Sequence, residues 1–202
     1  MACWLIGPSY EKFYIPRKAV LSRDHLVKMD ILIPKGRNKW RVTKPSFARI
    51  NPDHFRPVAQ YLCTGDFAAP TQTESGEPLT EDERKSAAIE LYANAWEVAQ
   101  NLSLDDLMQK IAAKMEEIQP WPLLELLLFA CRVYAVPSAP AFSVPADLDM
   151  RATVSVFIAT NYERYRSEYG PELLRRLKKF PELNRNVHQA LADQAAEELE
   201  QD

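Results

Sequence analysis

Glycine is scarce in this chain, with five in 202 residues. None of them builds a G-x-G-x-x-G fingerprint, a Walker-type loop or a G-x-S-x-G elbow, so the backbone devices that cradle phosphates or present a catalytic serine are missing. Histidine is scarcer still: His25, His54 and His188 stand in separate segments, in neither H-E-x-x-H nor H-x-x-E-H spacing. The three cysteines, Cys3, Cys63 and Cys131, are odd in number, far apart and in no C-x-x-C pair. That argues against a disulfide framework and a zinc site, and predicts a reducing, intracellular setting. Long apolar runs are lacking too. The densest, Leu123 to Ala130, contains Glu125 and falls well short of the roughly 20 residues that span a bilayer. The start, Met1-Ala2-Cys3-Trp4, lacks the charged and apolar regions of a signal peptide.

Basic charge is not in excess: 25 Lys and Arg face 28 Asp and Glu, for a net charge of −3. Such a balance speaks against nucleic-acid binding, which needs a basic surface to neutralise phosphates. The cluster Lys35, Arg37, Lys39, Arg41 and Lys44 reads as a solvated turn or edge strand. Asp105 and Asp106 fall in the first turn of a predicted helix, where the macrodipole favours negative charge, and need no catalytic role. Cys63 stands at a helix exit rather than at the N-terminus that would activate a thiol, and is read as a buried structural cysteine. His54, in the first turn of a helix, is read as a surface residue. No convergent set of acid, base and nucleophile is visible. The expectation is a non-enzyme with no cofactor, no metal, no small-molecule substrate and no membrane span.

What is present is a mixed pattern followed by helices. Cys3 to Ile6 and Phe13 to Ile15 read as strands around the Gly7-Pro8 turn. Ala19 to Met29 suggests one or two helical turns, and Ile31 to Ile33 and Trp40 to Thr43 read as strands flanking the basic turn. Asn51-Pro52 opens a helix with Phe55, Val58, Ala59 and Leu62 at helical spacing, closed by Gly65. Ala68 to Pro78 is a polar loop. Thr80 and Glu83 form a capping box ahead of Ile89, Tyr92, Trp96 and Ala99, and Ser103 with Asp106 resembles a second one. The helix after it carries Leu104, Leu107, Met108, Ile111, Met115 and Ile118. Later helices follow at Leu123 to Tyr134 and, after a linker at Pro137 to Pro145, along Met150, Val154, Phe157, Ile158 and Tyr165. Gly170-Pro171 restarts the chain at Leu173, Leu174 and Leu177, and Pro181 sets off a last helix with Val187, Leu191 and Leu199. The fold class is therefore α+β, a small sheet with helices over residues 1–118, followed by an all-helical extension over 119–202.

Four segments in order carry a resemblance. Ile50-Asn51-Pro52-Asp53-His54-Phe55 runs on to a Tyr61-Leu62-Cys63-Thr64-Gly65 ending. Leu91-Tyr92-Ala93-Asn94-Ala95-Trp96 follows, then the helix Leu102 to Met115 with its leucine pair. Ahead of them stand Ile6-Gly7 and Phe13 to Lys18. Together they resemble the BTB/POZ family, in particular its divergent fungal-type branch. The resemblance implies a protein–protein docking module: a scaffold or adaptor, cytoplasmic or nuclear, binding a protein partner such as a cullin scaffold of a ubiquitin ligase, or a second copy of itself. A stably bound accessory subunit of a larger assembly, with no ligase role, is the alternative. Some family members swap a helix and strand that precede the first hairpin, whereas two residues precede Cys3 here. The hydrophobic-x-Glu element that helps some members hold a cullin is not evident. The candidate docking residues are Trp4, Leu5, Asp53, His54, Trp121, Leu177 and Leu191.

Overall fold

The computed structural model describes residues 1–22, 32–34, 40–42, 45–73, 75–135 and 150–200. The first two apolar segments form strands β1 (Ala2–Ile6) and β2 (Glu11–Ile15), paired antiparallel with Trp4 opposite Phe13 and Cys3 opposite Tyr14. Their turn needs Gly7. It sits at φ +76°, and a Cβ there would come within 2.7 Å of Pro52 Cγ. A side chain would force the hairpin away from the helix that starts at Pro52. A short helix α1 (Arg17–Leu21) follows, beginning ahead of the predicted Ala19. Strands β3 (Leu32–Pro34) and β4 (Trp40–Val42) complete a four-stranded sheet in the order β2-β1-β4-β3, with β1 and β4 parallel and the other pairs antiparallel. The basic turn and the linker at 137–145 lie outside the described residues.

Helix α2 (Pro52–Thr64) starts and stops where local chemistry dictates. Asn51 Oδ1 accepts the Asp53 N–H at 3.0 Å, and Gly65, at φ +79°, donates its N–H to the Tyr61 carbonyl at 2.8 Å. Its buried stripe includes Phe55, Val58 and Leu62. Trp4 stacks on both Phe47 and Phe55, at ring distances of 5.5 and 5.6 Å, and Phe13 meets Phe55 edge-on at 4.9 Å. The same helix packs on the hairpin, with Phe55 against both Trp4 and Phe13. Arg56 reaches Glu11 at 3.1 Å, and Cys63 Sγ reaches the Tyr14 carbonyl at 3.8 Å. Seven helical residues and three strand residues each advance about 10 Å, so the two elements run side by side in the same direction.

Helix α3 (Glu81–Leu102) opens on the predicted capping box, with Thr80 and Glu83 bonding each other's backbone N–H. The second predicted box does not form. Ser103 adopts a left-handed conformation at φ +53° and ends α3, its N–H donated to the Gln100 carbonyl. Leu104 stands at the cap of α4 (Asp105–Glu117), with no side-chain cap bond. A residue spent on closing one helix cannot also open the next.

Helices α5 (Leu123–Val133), α6 (Met150–Thr160), α7 (Tyr162–Lys179) and α8 (Pro181–Glu200) follow. The predicted restart at Gly170-Pro171 coincides with a kink at Tyr169, whose φ of −135° is non-helical. Phe129 of α5 meets Trp96 of α3 edge-on at 6.0 Å, and one apolar core runs from the sheet through α3 into α5 to α8. Leu173, Leu177 and Val187 join that core and Leu191 packs against it, whereas Leu174 and Leu199 of the predicted stripes face solvent. The class is α+β, a small sheet plus helices.

Candidate protein-interaction surface

Most of the predicted docking residues are inside the protein. Trp4, Leu5, Trp121 and Leu177 are buried. Trp4 is held in the aromatic stack. Trp121 donates its indole N–H to the Met115 carbonyl at 2.7 Å and lays its ring 5.1 Å from Phe157. Leu177 belongs to the core with Leu173, Leu183 and Val187. Leu191 is half-buried against the same core. The physical reason is common to them: large apolar side chains gain most by leaving water within their own chain. Only Asp53 is exposed, with His54 half-buried beside it.

Asp53 belongs to a connected surface at the corner between the hairpin and α2. Its Oδ1 accepts from Arg56 Nε at 3.0 Å, and Arg56 Nη2 continues to Glu11 Oε1 at 3.1 Å. Two tyrosines of the hairpin are exposed, Tyr10 next to Glu11 in the turn and Tyr14 on the opposite face of β2 from Glu11. Tyr14 is 59% exposed and Tyr10 56% exposed, the latter projecting from a left-handed backbone at φ +54°. A non-glycine residue is uncommon there, and the turn holds it in place. Tyr10, Tyr14 and Arg56 escaped the sequence analysis. The signal for Tyr14 was available, because strand alternation sends it opposite to Phe13 and Ile15. Arg56 sits three residues after Asp53, the spacing of a helical ion pair.

Burial is the leading influence on Cys63, Cys131 and His54. Cys63 is exposed rather than buried, since it ends the solvent side of α2, and its partial shielding raises the thiol pKa. Cys131 is buried and its thiol is pushed up to about 11 by burial, against the smaller opposing influence of Arg176. An activated cysteine needs the opposite shift. His54 is held below its ordinary value, first by partial burial and then by Arg132, while Glu97, Asp53 and Glu90 oppose the change. Arg132 and Glu97 are themselves paired at 2.6 Å, tying α5 to α3.

Among the described residues, no group of three or more His, Cys, Asp or Glu side chains converges as metal ligands. No helix among them is long and apolar enough to cross a membrane. Comparison of the chain with protein-family models, with curated proteins and with solved structures finds no match.

Proposed function

We propose that this chain is a non-enzymatic protein–protein interaction module of BTB/POZ type, acting as an adaptor or scaffold in the cytoplasm or nucleus. The observation that carries the reading is the order and packing of the resembling segments. The β1–β2 hairpin lies against α2 with its Tyr-Leu-Cys-Thr-Gly ending, α2 packs on α3, and Leu104 and Leu107 of the next segment are buried beneath α3. Three free cysteines are in keeping with a reducing compartment.

The face assigned to partner binding is the hairpin–α2 corner, with Tyr10 as the aromatic anchor beside Glu11, Arg56 and Asp53. Tyrosine and arginine are the residues that most often dominate interface energy.

Native affinity purification of the tagged chain, repeated with a Tyr10→Ala/Asp53→Arg variant, tests this. The wild type should retain a partner in fixed proportion and the variant should lose it. A cullin in the wild-type eluate makes the chain a ligase adaptor, and a stoichiometric complex without one makes it an accessory subunit. Equal recovery of the same partners by both proteins would remove the corner as the docking face. Reproducible turnover lost on Cys63→Ser or His54→Gln would overturn the non-enzymatic reading.

A further inference from the structure

The last two turns of α7 concentrate positive charge that the described part of the chain does not balance. From Glu172 to Lys179 they carry Arg175, Arg176, Lys178 and Lys179 against one carboxylate, Glu172, which holds both Arg175 and Arg176. Four cations less one anion leave that stretch at +3, in a chain whose overall charge is −3. The next carboxylate, Glu182, is taken by Arg151 at 2.8 Å. Among the described residues no carboxylate pairs with Lys178 or Lys179, and Lys179 lies over the Phe180 ring at 5.6 Å. A helix C-terminus favours cations, but its dipole amounts to about half a negative charge and fades beyond the last turn. The surplus on α7 is several times larger.

These cations share a face with an exposed apolar side chain. Measured round the helix from Leu174, Lys178 stands at about 40°, Arg175 at about 100° and Lys179 at about 140°. All four are exposed, while Leu173 and Leu177 bury the other side. Leu174 is 64% exposed and lies one turn from Lys178, at the border of the basic stripe. An occupant therefore has to bring negative charge and an apolar group together. A bilayer surface calls for several apolar or aromatic side chains to insert, and the stripe offers Leu174 alone. Single-stranded nucleic acid calls for exposed rings to stack on, and the stripe has none. Both requirements are met by an acidic helix that lies alongside and presents leucine-type side chains one turn apart.

We propose that the Leu174–Lys179 face of α7 is a docking surface for an acidic amphipathic helix of a partner protein. Leu174 meets the apolar stripe of that helix, and Arg175, Lys178 and Lys179 meet its carboxylates. Charge complementarity selects this occupant, and the contact is steered by charge and weakened by salt. The surface is separate from the hairpin–α2 corner and does not depend on the role proposed for it.

Fluorescence anisotropy reads the contact, using the full chain and a labelled synthetic helix of glutamate and leucine with its leucines on one face. A scrambled peptide of the same composition keeps the charge and loses the face. The wild type should bind the patterned peptide saturably, more tightly than the scrambled one, and more weakly as salt rises. Lys178→Gln/Lys179→Gln should weaken that binding about tenfold. Leu174→Ser should abolish the preference for the patterned peptide. All three side chains are exposed, and circular dichroism verifies that the variants keep the fold. Absence of saturable binding, equal binding of the two peptides, or indifference to the lysine changes would overturn the proposal. So would phosphatidylserine vesicles or an oligonucleotide that bound more tightly than the peptide through the same lysines.

Discussion

Around the sheet, the largest buried side chains meet ring on ring: Trp4 on Phe47 and Phe55, Phe13 edge-on to Phe55, and Phe67 edge-on to Tyr92 at 5.8 Å. The Trp4 indole N–H has no hydrogen-bond partner there. In helices α5 to α8 the buried tyrosines are tethered through their hydroxyls. Tyr165 donates to the Leu123 carbonyl at 2.7 Å. Tyr134 lies within 2.9 Å of Ser155 Oγ and accepts from Asn186 at 2.7 Å. Arg151 covers the Tyr134 ring at 4.8 Å and pairs with Glu182 at 2.8 Å. The sheet region is thus held by shape and apolar area, and the helical region adds specific polar handles that fix how its helices sit. In the first, losing volume costs most; in the second, losing a single oxygen is felt.

The most severe way to break this comparison is to separate the regions. A chain cut after Gln119 bares Trp96 and the α3 face that α5 covers, and should aggregate in light scattering. A fragment that stays monomeric and unfolds cooperatively would show that the regions are independent. Next comes Trp4→Ala, expected to cost about 3–5 kcal/mol by chemical denaturation, the range for emptying a buried aromatic site. Trp4→Phe should cost far less, since no hydrogen bond is lost with the indole. A loss for Trp4→Ala of the size expected for a surface change would contradict the stacking account. On the polar side, Tyr165→Phe removes the hydroxyl's bond to the Leu123 carbonyl, which keeps its helical partner, and should cost about 0.5–1.5 kcal/mol despite removing one atom. The smallest effect belongs to His54. Its folded pKa lies below the ordinary 6.5, so the unfolded chain takes up the proton first. Its stabilisation is complete above that ordinary value and is lost as the pH falls through the folded one. The denaturation midpoint should fall over that window, and His54→Gln should flatten part of the slope. An unchanged slope would assign the pH response to other groups.

Features that depend on residues a few positions apart were legible in the sequence. The Asn51 cap, the Gly65 stop, the Thr80–Glu83 box and the breaks at Tyr169 and Pro181 all involve local bonds or missing donors. Ser103 looked equally local, but whether it closes α3 or opens α4 depends on a left-handed backbone that residue type does not reveal. The exposure of the candidate docking residues was the least legible. Periodicity marks an apolar stripe without saying whether the chain itself or a partner will cover it, and for Trp4, Leu5, Trp121 and Leu177 it was the chain. The proposed corner depends on Arg56 meeting Glu11 from 45 positions away, a pairing set by the placement of α2 beside β2.

That placement also bears on how the protein ages in a tube. Helix α2 is fastened to β2 by an ion pair at one end and by the Cys63 thiol against the Tyr14 carbonyl at the other. Cys63 is exposed, so an alkylating or oxidising reagent reaches it. A bulky adduct there would act as a wedge between helix and strand and would loosen the Phe13–Phe55 contact, baring apolar surface. Slow precipitation in air should then begin at one surface sulfur, and Cys63→Ser should lengthen storage life without touching the core.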